Sequence, residues 1–179
     1  MKNSRKGFTL VELLIVIVVI GILSAMMMLS STESVASAKA NNIISNLRNL
    51  KTAVTAWYAD NLDKVKKESD TWKIDGKNVS EFVAGNGKTE ILKYLNNENS
   101  ITLGNKGDTT DGHYLLVSGP SSKTWYVCYN LGSSEQRVKD KLTSKAKSIG
   151  LLGADKGNVD FSDYSGKAMV AMLVLTLEE

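Results

Sequence analysis

The sequence predicts an α+β protein: one long N-terminal α-helix packed on a small antiparallel sheet, with additional short helices. Three observations predict it. Residues 8 to 60 contain no proline and read as continuous helix. The second half of that helix is apolar on one side only, so it needs a soluble partner. Downstream, short β-rich runs bounded by turn residues, together with an amphipathic helix, can supply that partner.

The helix begins apolar on every face. From Phe8 to Leu29, a run of 22 residues, the one charge is Glu12. At ~1.5 Å per residue this run spans about 33 Å, which matches a hydrocarbon core of about 30 Å. Lys2, Arg5 and Lys6 precede it, and cations ahead of an apolar span favour a cytoplasmic N-terminus. Further on, Ala36, Ala40, Ile43, Leu47, Leu50, Val54 and Trp57 step by 4, 3, 4, 3, 4, 3. That is an amphipathic stripe with a heptad-like period. Asn41, Asn42, Asn46, Arg48, Asn49 and Lys51 take the other faces. One helix over 8–60 is roughly 80 Å long. The chain therefore divides into a basic segment 1–7, an apolar half 8–30, an amphipathic half 31–60 and a globular head 61–179.

The head reads in order. "DNLDKVKKESD" is a charged surface segment, and "WKIDGKNV" (72–79) has a hairpin-like Asp-Gly centre. "TEILKYL" (89–95) fits a short helix and "NKGDTTDG" (105–112) a loop. "HYLLVSG" and "TWYVCYNLG" are two strands flanking "PSSK", a turn holding the only proline, Pro120. "SSEQRVKDKLTSKAKSIG" is a helix with Ser133 and Gln136 as a capping box, Val138, Leu142, Ala146 and Ile149 on one face, and Gly150 as its stop. "LGADKGNVDFSDYSG" is a polar loop, and "KAMVAMLVLTL" (167–177) a buried strand.

Several functions are excluded or disfavoured. Lys and Arg total 22 and Asp and Glu 19, but the resulting +3 comes entirely from the first seven residues. The basic balance is thus no nucleic-acid surface. Cys128 is the only cysteine, so no intrachain disulfide forms, and His113 is the only histidine. Both lie in strand-like runs and suit structural roles. "GNGKT" (85–89) lacks the further glycine and preceding buried strand of a phosphate-binding loop, Phe82 standing where that glycine belongs. Asp155, Asn158, Asp160 and Asp163 offer oxygen ligands of the kind calcium takes, but not at EF-hand spacing; a solvated loop is the favoured reading. Asn78-Val79-Ser80 is a formal glycosylation sequon of little weight. Trp57, Trp72 and Trp125 sit in or beside patterned segments and are expected in the core. Neither GxSxG nor HExxH occurs, so a hydrolase is disfavoured and no cofactor is expected.

Glu12 remains to be explained. A secretory signal cleaved after "VASA" (35–38) would cut through the stripe, and neither a signal nor a plain anchor accounts for an acid. A charge near the bilayer centre costs about 2.5–3.5 kcal/mol, less toward an interface, and such groups usually have a partner.

The basic start, then Gly7, Phe8, Thr9, Leu10, Val11 and Glu12, then an apolar run, resembles the leader of the type IV pilin superfamily, which includes the pseudopilins of type II secretion. The resemblance is specific over residues 1 to 30, reaches about 60 in helix architecture, and extends to the head only as a general plan. It implies a pilin-like fold and a filament subunit rather than an enzyme. It implies a prepilin leader 1–7 removed between Gly7 and Phe8 by a membrane prepilin peptidase, which also methylates the Phe8 amine. It implies a homopolymer driven by an assembly ATPase and platform protein, with the precursor in the cytoplasmic membrane and the product at the cell surface. Phe8, Glu12 and Gly21 are then assembly residues, and Ile43, Leu47, Leu50, Val54 and Trp57 pack the head. Glu12 lies one turn from the Phe8 amine and pairs with it, within the chain or across to a neighbour, which makes the acid a register device. Two departures stand out. Many members carry a proline where this chain has Leu29, so a straighter N-terminal half is expected, loosening in filaments near Gly21 and Ser24. Many also close the C-terminal region with a disulfide, which one cysteine cannot do. A pseudopilin serving secretion or DNA uptake is the alternative within the fold, and a membrane-tethered binding domain the alternative outside it.

Overall fold

The computed structural model describes residues 8–95, 101–119, 122–133 and 135–178. The leader with Gly7, and Pro120 of the expected turn, lie outside the described residues.

Helix α1 runs unbroken over Leu10–Asp60. It ends at Asn61, whose backbone N–H donates to the Tyr58 carbonyl and whose side-chain amide donates to the Trp57 carbonyl at 2.8 Å. The seven stripe residues from Ala36 to Trp57 are all buried, and Ile44 and Ala53 widen the buried face. Each large aliphatic side chain removed from water in this way contributes about 1.5–3 kcal/mol. Trp57 anchors the far end. Its ring lies 4.7 Å from Phe82 and 6.4 Å from Trp125, and its indole N–H donates to Glu90 at 3.1 Å.

Beyond α1 the charged segment does more than coat the surface. After a short turn it pairs β1 (Val65–Glu68) with β2 (Thr71–Ile74) in an antiparallel hairpin, with Val65 buried. The hairpin turns at Ser69 and Asp70, both at positive φ, the primed-turn geometry that matches strand twist. The expected Asp75-Gly76 turn is present too and closes a bridge between Ile74 and Lys77. Helices α2 (Val79–Phe82) and α3 (Lys88–Leu92) follow, joined by the wide turn Val83–Gly87. Gly87 lies against the Phe82 ring where a Cβ would overlap it, so "GNGKT" is a packing turn.

The main sheet contains β3 (Leu103–Gly104), β4 (Tyr114–Ser118), β5 (Thr124–Asn130), β6 (Leu152–Ala154), β7 (Ser162–Asp163) and β8 (Met169–Thr176), in the spatial order β3-β4-β5-β8-β6-β7. Only the short β3 runs parallel to its neighbour; the other pairs are antiparallel. The segment 152–166, expected as a polar loop, contributes β6 and β7. Its middle, 155–161, straps the outer face of the sheet.

That strap explains why the strands read as nearly continuous apolar runs. Alternate side chains on the central strands, among them Tyr114, Leu116, Trp125, Val127, Val170 and Met172, face α1. The others, including Leu115, Val117, Cys128 and Ala171, face outward into a second small core that Val159 and Phe161 of the strap cover. Tyr126 and Phe161 stack with centroids 4.4 Å apart.

Helix α4 (Gln136–Ile149) packs Val138, Leu142 and Ala146 inward and stops at Gly150, whose φ of +66° suits glycine. Its start corrects the expected Ser133–Gln136 capping box. The N-cap is Glu135, with no side-chain cap. The Glu135 carboxylate is ion-paired with Lys39 of α1 and accepts the Gly132 N–H at 3.4 Å, so a tertiary contact places the helix start.

Candidate functional site

The first half of α1 has the same backbone as the second and the opposite environment. Every described side chain from Phe8 to Met28 is exposed, Phe8 at 89% and Met28 at 75%. The helix passes through Gly21 and Ser24 without interruption, and a Cβ on Gly21 would meet nothing within 4 Å. An isolated head in water would hold this surface at great cost, because it is apolar all round and spans the length of a bilayer core.

At its tip the backbone enters the helix at Thr9 in extended geometry, φ −80° and ψ 151°. The Thr9 hydroxyl oxygen accepts the Glu12 N–H at 3.3 Å. In return Glu12 Oε2 accepts both the Thr9 N–H and the Thr9 hydroxyl proton, each at 2.8 Å. This is a complete capping box, and it gives the acid two donors from its own chain. Reading Glu12 only against the Phe8 amine overlooked Thr9. The signal was present, since Thr9-Leu10-Val11-Glu12 has the Thr-x-x-Glu spacing of such a box.

The remaining candidates are distributed through the head. Cys128 is fully buried on β5, and burial pushes its thiol well above the usual range. His113 Nδ1 lies 2.7 Å from Asp108 Oδ2. Together with Thr110, which donates its backbone N–H at 2.8 Å, it holds the Asp108 carboxyl down at about 2. Asn78 caps α2 and accepts the Glu81 N–H. The four oxygen-bearing residues proposed for calcium do not converge: Asn158 accepts the Asp160 N–H at 3.0 Å and Asp163 sits in β7 opposite Leu152. Among the described residues, no three His, Cys, Asp or Glu side chains group as metal ligands.

Ion pairs at the junction of the two helix halves were not legible in the sequence. Lys141 lies 2.8 Å from Glu33, Lys39 pairs with Glu135, and Lys145 donates to Asn41. Lys141, by hydrogen bond and charge, with Arg137 adding to it, holds the Glu33 carboxyl below its ordinary range.

A helix that buries one half in its own head and leaves the other half bare and apolar belongs to a structural subunit, made to be embedded in lipid or among neighbours. Residues 2–28 match the family model for the prokaryotic N-terminal methylation motif. A "Fimbrial protein" of Pseudomonas aeruginosa is 30% identical over 130 residues, covering 69% of this chain and 84% of that one. "Fimbrial protein Q" and "Type IV major alpha-pilin", both of Moraxella bovis, are 41% identical over 151 residues and 28% over 149, each alignment covering 78% of this chain and 94% of the relative. The chain belongs to the type IV pilin family, whose members are structural subunits and not enzymes. No solved structure gives a significant match.

Proposed function

We propose that this chain is the filament-forming subunit of a type IV pilus, held in the membrane as a precursor and polymerised through residues 8–30. The observation that carries the proposal is the contrast within α1, whose first half is bare from Phe8 to Met28 and whose stripe from Ala36 to Trp57 is buried. A bilayer covers the bare surface before assembly, and the same surface of other copies covers it afterwards.

The residue roles follow. Prepilin peptidase cuts between Gly7 and Phe8 and methylates the new Phe8 amine, which keeps its positive charge. Glu12 then has a choice of partners: the Thr9 donors of its own chain, or the amine of a neighbour. The Thr9 box keeps the acid satisfied while the subunit waits in the membrane. In the filament, a neighbour's amine level with Glu12 fixes the register, since an amine or acid left alone in low dielectric is expensive. Gly21, with open space around it, is where the helix loosens on assembly. An assembly ATPase and a platform protein drive the extraction. Segments 1–7, 8–30, 31–60 and 61–179 act as leader, filament core, connector and surface head.

Pseudopilins share this plan. The names of the relatives, fimbrial proteins and a major pilin, favour a pilus. The deciding experiment is mass spectrometry of subunits sheared from the cell surface. An N-methyl-Phe8 terminus in material that forms filaments by electron microscopy is expected. A mature terminus at Lys39 would overturn the proposal.

A further inference from the structure

Helix α4 carries five cations, Arg137, Lys139, Lys141, Lys145 and Lys147, against one acid, Asp140. Val138, Leu142 and Ala146 are turned into the core, so the cations occupy its outer faces. Arg137 and Lys147 are exposed, and the other three half-buried.

The height of this helix along α1 is fixed by its contacts. Lys141 is paired with Glu33, Arg137 lies one turn before it on the same face and also acts on Glu33, and Glu135 at the head of α4 is paired with Lys39. Glu33 is four residues beyond Leu29, where the apolar run ends. Four residues rise about 6 Å along the helix axis. The headgroup layer on each side of a bilayer is about 5–7 Å deep, the difference between a core of about 30 Å and a total of about 40–45 Å. With residues 8–29 filling the hydrocarbon, Glu33, Arg137 and Lys141 therefore stand at the level of the lipid headgroups. The acids on this edge are already engaged: Glu33 with Lys141, Glu135 with Lys39, and Asp140 with the Gln136 side chain at 2.9 Å. Counting Lys39, six cations face three acids here.

We propose that in the membrane-held subunit the first turns of α4 rest on the bilayer and bind the phosphates of anionic lipid headgroups through Arg137 and Lys141. The proposal rests on the membrane-held precursor of the preceding section. The planar guanidinium of Arg137 suits two phosphate oxygens at once, and the Lys141 ammonium adds a point charge. Glu33 completes the device. The Lys141 ammonium has three donors, so it holds the Glu33 carboxylate and a lipid phosphate together; when the subunit is drawn out of the bilayer the Glu33 pair remains, and no unpaired charge is stranded against the helix. The contact holds the head down before assembly and releases it without rearranging the fold.

The test uses the full-length chain reconstituted into vesicles of phosphatidylcholine, or of phosphatidylcholine mixed with phosphatidylglycerol. An amine-reactive reagent modifies the lysines, and mass spectrometry reads the rate at each. Lys66 and Lys77, at the other end of the head, are internal references. Lys141 is expected to react roughly fivefold more slowly in the anionic vesicles, the effect of one basic contact with a charged surface. The protection should vanish at about 1 M salt, where the Debye length falls to about 3 Å. Arg137→Gln, an exposed position whose folding is checked by near-ultraviolet circular dichroism, should restore much of the Lys141 rate. Glu33→Gln should make Lys141 protection depend more strongly on the anionic lipid. Alkaline carbonate extraction of the same vesicles reports insertion. A chain that stays inserted but shows equal Lys141 rates in the two lipids overturns the docking proposal alone. A chain washed out by carbonate overturns it together with the membrane-held reading. Protection that grows with protein density in neutral vesicles assigns the face to a second copy of this chain and also overturns the proposal.

Discussion

Residues 10–28 and 36–57 belong to one helix, satisfy their backbone in the same way, and differ in where their side chains go. In the second segment a narrow stripe from Ala36 to Trp57 disappears into the head while Asn42, Arg48 and Lys51 stay in solvent. In the first segment there is no polar face to leave in solvent, so no orientation against a single head could satisfy it. Helix propensity alone cannot tell these segments apart. The distribution of apolar residues around the axis can, and it separates a fold-forming surface from an assembly-forming one.

The largest effect expected from this contrast is a charge in the stripe. In a fragment from Ser31 to Glu179, expected to be soluble and monomeric, Leu47→Asp should remove at least about 4 kcal/mol of stability, because Leu47 is fully buried and no cation faces it among its core neighbours. Chemical denaturation reads this directly, and an unchanged midpoint would mean the packed face is wrongly placed. The same change in the other half, Ile17→Asp in the full chain, should leave the melting of the head untouched. Its cost, about 2.5–3.5 kcal/mol, should fall on membrane insertion instead, read as a loss of carbonate-resistant protein.

A smaller effect sharpens the account of the helix tip. Thr9→Val removes the hydroxyl that both accepts from and donates to Glu12, a loss of about 0.5–2 kcal/mol in capping. Filament yield should fall while Thr9→Ser retains it. Equal yields from both variants would deprive the capping box of any part in assembly.

The smallest effect lies in the head. The donors from His113 and Thr110 lower the Asp108 carboxyl to about 2, against an ordinary value of about 3.9. A depressed acid stabilises the fold above its unfolded value and loses that contribution as pH falls toward its folded one. Melting curves of wild type and Asp108→Asn should therefore differ most above about pH 4 and converge between about pH 4 and 2. A constant gap across that window would remove the carboxylate as the cause.

How much of this was legible in the sequence depended on the length of each signal. The stripe repeats over six intervals, so its period was plain, and all its residues are buried. Strands β4, β5 and β8 were legible as apolar runs bounded by turns. Strands β6 and β7 were not: they have three and two residues, too few to show alternation, and they exist because β8 offers β6 an edge and β6 in turn offers one to β7. Val159 and Phe161 looked like stray apolar residues among Asp, Asn and Gly until the outer face of the sheet was there to receive them. The start of α4 was misplaced because local capping chemistry pointed to Ser133, whereas Lys39, nearly a hundred residues earlier, holds Glu135. At the site the apolar run and Glu12 were plain from composition, and Thr9 was written in the spacing but eclipsed by its neighbour.

The central claim is that Glu12 sets the register between subunits and takes no part in anchoring them. The most direct measurement is the filament yield of Glu12→Val per unit of processed subunit in the membrane of the same cells. Insertion should be intact or better, since an acid has left an apolar span, and cleavage after Gly7 should persist. Filaments should be nearly absent, because each arriving Phe8 amine would meet no acid. Normal filaments from Glu12→Val would contradict the register mechanism, and a failure to insert would assign the acid to anchoring instead.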